Sequence, residues 1–159
     1  MTSRSKSVMR VEAALRGAGV DARVVELAAS TRTAEMAAQA IGTSLGTIVK
    51  SLVFLADEMP VLALVSGDHR ACAAKIARQS GASQARLATA DEVRAATGFA
   101  VGGVPPLGHT TPMTVLVDES LTRFQIVHAA AGSPHAVFPI SLDELVRVTQ
   151  GCLCDIVEE

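Results

Sequence analysis

A lysine set inside an aliphatic run, Ile48-Val49-Lys50-Ser51-Leu52-Val53-Phe54, is the first place in the chain where chemistry could reside. An ammonium in so apolar a strand either reaches a sheet edge or faces a cavity where a negative or carbonyl-bearing partner compensates it. The run alone leaves both open, because strand alternation gives most strands one solvated face. A second candidate is Gly102-Gly103-Val104-Pro105-Pro106-Leu107-Gly108-His109. Glycines let a ligand approach the main chain, and prolines fix φ and restrict their predecessors, so the segment reads as a stiff loop presenting N–H groups. It lacks the Gly-Lys-Ser/Thr ending of a Walker phosphate loop, and an ordinary tight turn is the competing reading. The small-residue turn Ala129-Ala130-Ala131-Gly132-Ser133-Pro134-His135 leaves room for a ligand or another backbone, with His135 as a possible donor. In Ser66-Gly67-Asp68-His69, a strand end followed by a helix cap explains Ser66 and Asp68 without any ligand. A triad drawn from Ser66, His135 and Asp68 lacks the Gly-x-Ser-x-Gly elbow. Neither His69 nor His109 has metal-ligand spacing to a second ligand, and Cys152-x-Cys154 with Cys72 makes no zinc knuckle. Neither metal nor cofactor is expected, and the cysteines read as buried or incidental thiols.

The elements that must carry these residues alternate. Apolar residues at Val8, Val11, Leu15 and Ala18 have helical spacing and stop at Gly19. Arg23 to Leu27 reads as a short strand, and the Ala-rich segment from Ala34 to Ile41, ending at Gly42, as a helix. The runs 48–56 and 60–65 predict two strands joined at Asp57-Glu58, followed by a helix over 71–80. Thr89-x-x-Glu92 and Ser141-x-x-Glu144 have capping-box spacing, which predicts helices beginning near 90 and 142. Strands are expected at 114–117, 123–129 and 136–140, with a terminal one within 152–157. Strands joined by short turns and strands separated by helices in one chain predict a mixed α/β fold: a curved, partly closed barrel-like sheet flanked by helices.

The chain has 159 residues, 49% of them in the AVILMFWYC class and 19% charged, so it can bury a sizeable core. No linker divides it, which predicts one domain over 1–159, with 1–6 flexible. Its apolar content is aliphatic, with 27 Ala and 19 Val against four Phe and no Trp or Tyr. That argues against stacking platforms for single-stranded nucleic acid and against aromatic cages. A net charge of −2 argues against coating duplex DNA, although residues 1–50 alone carry +3. The sequence shows no signal peptide and no apolar stretch of membrane-spanning length, so a cytoplasmic protein without a membrane partner is expected.

Taken in order, Lys50 within its strand, Ala63-Leu64-Val65-Ser66-Gly67-Asp68, Thr97 through Gly108 and Ala131-Gly132-Ser133-Pro134 closely resemble the YbaK/EbsC family, the free-standing relatives of the editing domain of bacterial prolyl-tRNA synthetase. The resemblance covers about residues 7–157. It implies hydrolysis, in trans, of the ester of mischarged aminoacyl-tRNA, with the tRNA acceptor end as partner and a synthetase as a further possible one. It makes Lys50 the catalytic residue and Gly102, Gly103, Val104, Pro105, Pro106, Ser66, Gly67, Gly132 and His135 substrate-binding. Loop N–H groups would stabilise a developing oxyanion while water, or a group of the substrate, attacks. Arg4, Lys6, Arg10 and Lys75 are candidate phosphate contacts. The cysteine-removing branch has a Ser and an Asp where this chain has Ala130 and Val137, and this chain has no Tyr. The departure points to Ala, Ser or Thr as the amino acid removed in place of Cys. The alternatives are a non-catalytic module that binds an aminoacyl-adenosine or nucleotide, and one that docks on a synthetase.

Overall fold

Period-two alternation along two long neighbouring strands organises the molecule. In the computed structural model, which describes residues 5–28, 30–31 and 33–159, β2 (Ile48–Ala56) and β3 (Met59–Ser66) form an antiparallel hairpin with Val49 opposite Ser66 and Ala56 opposite Met59. Leu62 and Leu64 of β3 face one core, and Val61, Ala63 and Val65 face another. Four consecutive residues of this central strand, Leu62 to Val65, are fully buried. Each large aliphatic among them contributes about 1.5–3 kcal/mol relative to exposure. The connecting residues Asp57 and Glu58 both have positive φ, 47° and 67°, as a tight hairpin requires. Asp57 is held there by its carboxylate, which accepts from the N–H groups of Ser83 and Gln84 at 2.9 and 3.2 Å.

The remaining strands are β1 (Val25–Glu26), β4 (Ala85–Leu87), β5 (Thr114–Asp118), β6 (Ile126–Ala130), β7 (Ala136–Ser141) and β8 (Cys152–Cys154). The eight strands make one mixed sheet in the order β1-β7-β6-β2-β3-β5-β8, with β4 attached separately to β2. The path is open, with β1 and β8 at its ends. Its helices are α1 (Lys6–Gly17), α2 (Ala34–Ile41), α3 (Ala73–Gln79), α4 (Ala90–Thr97) and α5 (Leu142–Thr149). The larger core packs residues of α1, α4 and α5 on one face of the sheet, and α3 contributes Ile76 to the other. Among the described residues no helix is long and apolar enough to cross a membrane.

The mixed α/β reading holds, with the sheet open where partial closure was expected and with several local corrections. The first strand keeps only Val25–Glu26 of the expected Arg23–Leu27, since only those two residues pair with β7. Arg123 lies in a 3-10 turn over Glu119–Arg123, capped by Asp118 accepting from the Ser120 N–H, so the next strand starts at Ile126. Strand β4 escapes the pattern because Arg86 and Leu87 are exposed and show no alternation. The terminal strand stops at Cys154, leaving one bridge between Val157 and Ala71. The helix expected over 71–80 begins at Ala73, and its cap is Cys72 without a side-chain bond, so Asp68 is not a helix cap. The Thr89–Glu92 box forms completely. At Ser141 only the hydroxyl half forms, because Glu144 turns its carboxylate to Arg147, 2.8 Å away. Ser5 caps α1 and Lys6 opens it.

Candidate functional site

Strand β2 is longer than either partner on its outer edge. Its first residues, Ile48 and Val49, pair with β6, and its last three, Phe54 to Ala56, pair with β4. Between them Lys50, Ser51, Leu52 and Val53 have no strand beside them on that edge among the described residues, where the Ala88 N–H reaches the Val53 carbonyl at 2.9 Å. A cleft of about 380 Å³ opens at the gap. Its walls are residues 48–53, Thr31 and Thr33 to Glu35, Gly67, Leu87, Ala88 and Val93, and Val101, Gly102 and Val104. Because the edge is bare, residues from both faces of β2 line one cavity. Lys50 comes from the α3 side, and Ser51 from the side of Val49 and Val53.

Lys50 donates to the main-chain carbonyl of His69 and forms no ion pair among the described residues. Burial pushes its pKa below the ordinary lysine value; Glu35, Asp118 and Asp68 pull it up, and Arg70 adds to the depression. The carbonyl it uses belongs to a turn held by a polar network. Asp118, fully buried, accepts from the Ser66 and Ser120 N–H groups at 3.0 and 2.9 Å. The His69 Nδ1 sits 2.8 Å from the Ser120 hydroxyl. Ser66 Oγ lies 2.6 Å from the Gly46 carbonyl and 2.8 Å from an Asp68 oxygen. Arg123 spans Asp68 and Ser66 with contacts of 2.9–3.0 Å, and its hydrogen bond holds the Asp68 carboxyl well below the usual carboxylate range.

The loop opposite supplies hydrogen-bond donors. Gly103 donates its N–H to the Ala100 carbonyl at 3.1 Å, but the N–H groups of Gly102 and Val104 have no partner among the described residues, and both residues line the cleft. His109 stiffens the loop through a 2.7 Å hydrogen bond between Nε2 and the Pro105 carbonyl. Two glycines permit its packing: a Cβ at Gly103 would lie 2.9 Å from the Ser133 backbone, and one at Gly132 would lie 2.6 Å from the Ser7 carbonyl of α1. The Gly103 carbonyl accepts from the Gly132 N–H at 2.9 Å, so the two small-residue turns support each other.

Of the ten residues singled out in the sequence, Lys50, Gly67, Gly102 and Val104 line the cleft. Gly103, Pro105 and Pro106 are buried just behind Gly102 and Val104, and Ser66 lies fully buried in the network. Gly132 packs on α1, and exposed His135 stands at the β7 end, where its carbonyl accepts from the Leu27 N–H. None of the four histidines lines the cleft. Among the cleft residues with no signal in the sequence are Glu35 and Ser51, whose buried hydroxyl has no hydrogen-bond partner among the described residues. Of the candidate phosphate contacts, Arg4 lies outside the described residues. Lys75 pairs with Asp155 at 2.8 Å, and Arg10 lies 4.4 Å over the Phe99 ring and donates to the Gly98 carbonyl. A second hollow of about 480 Å³ near the Asp57 turn is lined by no Lys or Arg among the described residues, and the carboxylate there is already used.

A lysine and a donor-rich glycine–proline loop, placed across a gap in the edge of an open mixed sheet, are the architecture of an editing-type α/β domain. The chain belongs to the aminoacyl-tRNA editing domain family, whose profile matches residues 28–148. A solved structure described as that of a candidate trans-editing enzyme for prolyl tRNA synthetase superimposes with a TM-score of 0.93 at 47% identity, covering 99% of this chain and 100% of that one. YwhH of Bacillus subtilis is 37% identical over 122 residues, 77% of this chain and 78% of YwhH. Proline–tRNA ligase of Xanthomonas oryzae pv. oryzae is 33% identical over 108 residues, 67% of this chain but only 19% of the ligase.

Proposed function

We propose that this protein is an aminoacyl-tRNA deacylase that works in trans, clearing Ala, Ser or Thr in preference to Cys from a mischarged tRNA. One observation carries the reading: Lys50 stands in the gap of β2 with its ammonium held by a carbonyl and in no ion pair among the described residues, in a cleft also lined by Gly102 and Val104, whose N–H groups have no partner among those residues. Water adds to the ester carbonyl, negative charge grows on its oxygen, and the acyl–oxygen bond breaks. The products are the free amino acid and the terminal hydroxyl of the tRNA. An ammonium and two amide donors in a partly dry cleft stabilise that charge without reorganising, and one such donor is worth about 10²–10³ in rate. With no imidazole in the cleft, catalysis rests on positioning and electrostatics, a contribution that can reach several kcal/mol. The decisive experiment offers the protein a panel of tRNAs charged with Ala, Ser, Thr, Cys or Pro. Release of the small amino acids well above the uncatalysed rate is expected; tight binding without release would make the chain a binding module instead.

The preference for Ala, Ser or Thr is supported by the cleft floor. Val53, Ala88, Val93 and Val104 line it with small aliphatic side chains, and Ser51 beside them has a buried hydroxyl with no partner among the described residues. A buried hydroxyl without a partner is costly, and a substrate hydroxyl satisfies it better than a thiol, which is a weak donor. Ser51→Ala is expected to lower kcat/KM for Ser-tRNA by about tenfold while leaving Ala-tRNA nearly unchanged, the loss of one such hydrogen bond. Equal losses on both substrates in a competition assay would remove Ser51 from the specificity argument.

A further inference from the structure

The cleft wall carries two ionisable side chains of opposite sign among the described residues, Lys50 and Glu35, and only the lysine has a role so far. Glu35 lies in the first turn of α2, directly after Ala34, which packs with Ala37 and Ala38 against Ile48. Those small residues let the helix approach β2 closely and fix the segment as the wall facing Lys50. The wall is further tied down at Thr31, whose N–H and hydroxyl both donate to the Pro134 carbonyl. Glu35 itself forms no side-chain hydrogen bond and no ion pair among the described residues. It acts on Lys50 only through space, as the largest attraction opposing the burial of that ammonium.

An aminoacyl ester brings a second positive charge into this space, its own α-ammonium, a few ångströms from the carbonyl that Lys50 would polarise. Two cations that close in a partly desolvated cleft repel each other, so the substrate needs a carboxylate there. Resting on the deacylase reading above, we infer that Glu35 is the specificity residue that receives the α-ammonium of the bound aminoacyl end. The cleft thereby selects esters of free amino acids and rejects those whose nitrogen is acylated, as in formyl-aminoacyl or peptidyl tRNA. An acylated nitrogen has neither the charge nor the donors that the carboxylate takes up, and its extra group must fit against the α2 wall.

The inference is tested by binding rather than turnover, using probes in which an amide replaces the ester at the 3′ position of adenosine: alanyl, lactyl and N-acetylalanyl. The lactyl probe exchanges the ammonium for a hydroxyl of similar size. Calorimetry on the wild-type protein should give about tenfold tighter binding of alanyl than of lactyl, the size of one charge-assisted hydrogen bond, and weaker binding still of N-acetylalanyl. Glu35→Gln should bring the alanyl and lactyl affinities together. Ser51→Ala, which leaves the charge in place, should preserve their ratio. Equal wild-type affinities, a ratio that survives Glu35→Gln, or no binding of any probe would each overturn the assignment. A wild-type protein that discriminates the probes yet releases no amino acid from charged tRNA would leave the assignment standing and remove the deacylase reading alone.

Discussion

Lys50→Ala should reduce kcat/KM for a mischarged aminoacyl-tRNA by about a thousandfold, the upper end of what one preorganised oxyanion donor contributes, while the thermal midpoint stays within a few degrees of wild type. The two halves of the expectation have separate causes. The ammonium forms one hydrogen bond to the His69 carbonyl and no ion pair among the described residues, so its loss removes little folding energy. Its stem leaves the β2 gap rather than filling either core. Turnover, in contrast, loses the full cation beside the developing charge. The same residue sets a pH limit. Burial lowers its pKa below the ordinary lysine value, so the ammonium is lost, as pH rises, earlier than for a solvated lysine. Activity should therefore fall on the alkaline side ahead of ordinary lysine titration, and methylating lysine to keep its charge should leave that limb in place. Full turnover by Lys50→Ala in single-turnover assays would assign the lysine to the fold and not to the chemistry.

Asp118→Ala should cost about 3 kcal/mol of stability, because it strands buried donors worth 1–3 kcal/mol each. Its carboxylate is fully buried and receives the N–H groups of Ser66 and Ser120, joining the end of β5 to the end of β3. Neither N–H has another acceptor among the described residues: Ser66 lies wholly inside, and Ser120 sits, partly buried, in the turn that carries the His69 contact. Asp118→Asn keeps only one acceptor oxygen, and because the two N–H groups use different carboxylate oxygens its NH2 meets the other donor, so it should lose at least half as much. Urea unfolding midpoints at a constant m-value measure both. The substitution should also lower turnover, since the His69 turn that holds Lys50 rests on this network. A loss below about 1 kcal/mol for Asp118→Ala would mean that water replaces the carboxylate and that the network is not a support for the site.

Much of the frame is legible in the residues. The alternation of Val61 to Val65 between two cores, the helical spacing of Val8, Val11 and Leu15, and the Thr89–Glu92 box all act over a few residues, where side-chain chemistry and backbone preference agree. What local pattern misreads is decided by distant partners. Arg123 leaves its expected strand because Asp118 caps the turn it ends and Asp68 takes its guanidinium, 55 positions earlier in the chain. Likewise Glu144 abandons the box at Ser141 for Arg147.

The site divides along the same line. Residue types and order alone place an ammonium in an aliphatic strand and a stiff, amide-rich loop after it, and they tie the chain to a family. Whether that lysine faces solvent or a cavity depends on whether a strand covers its edge, and this follows from β4 and β6 stopping short of each other on β2. That gap is a property of the assembled sheet. It brings Ser51 and Glu35 to the same space as Lys50, and it separates Gly102 and Val104, which line the cleft, from Gly103 and Gly132, which hold the loops together. A strand's own sequence specifies which residues alternate; only the neighbouring strands determine where the alternation is left uncovered.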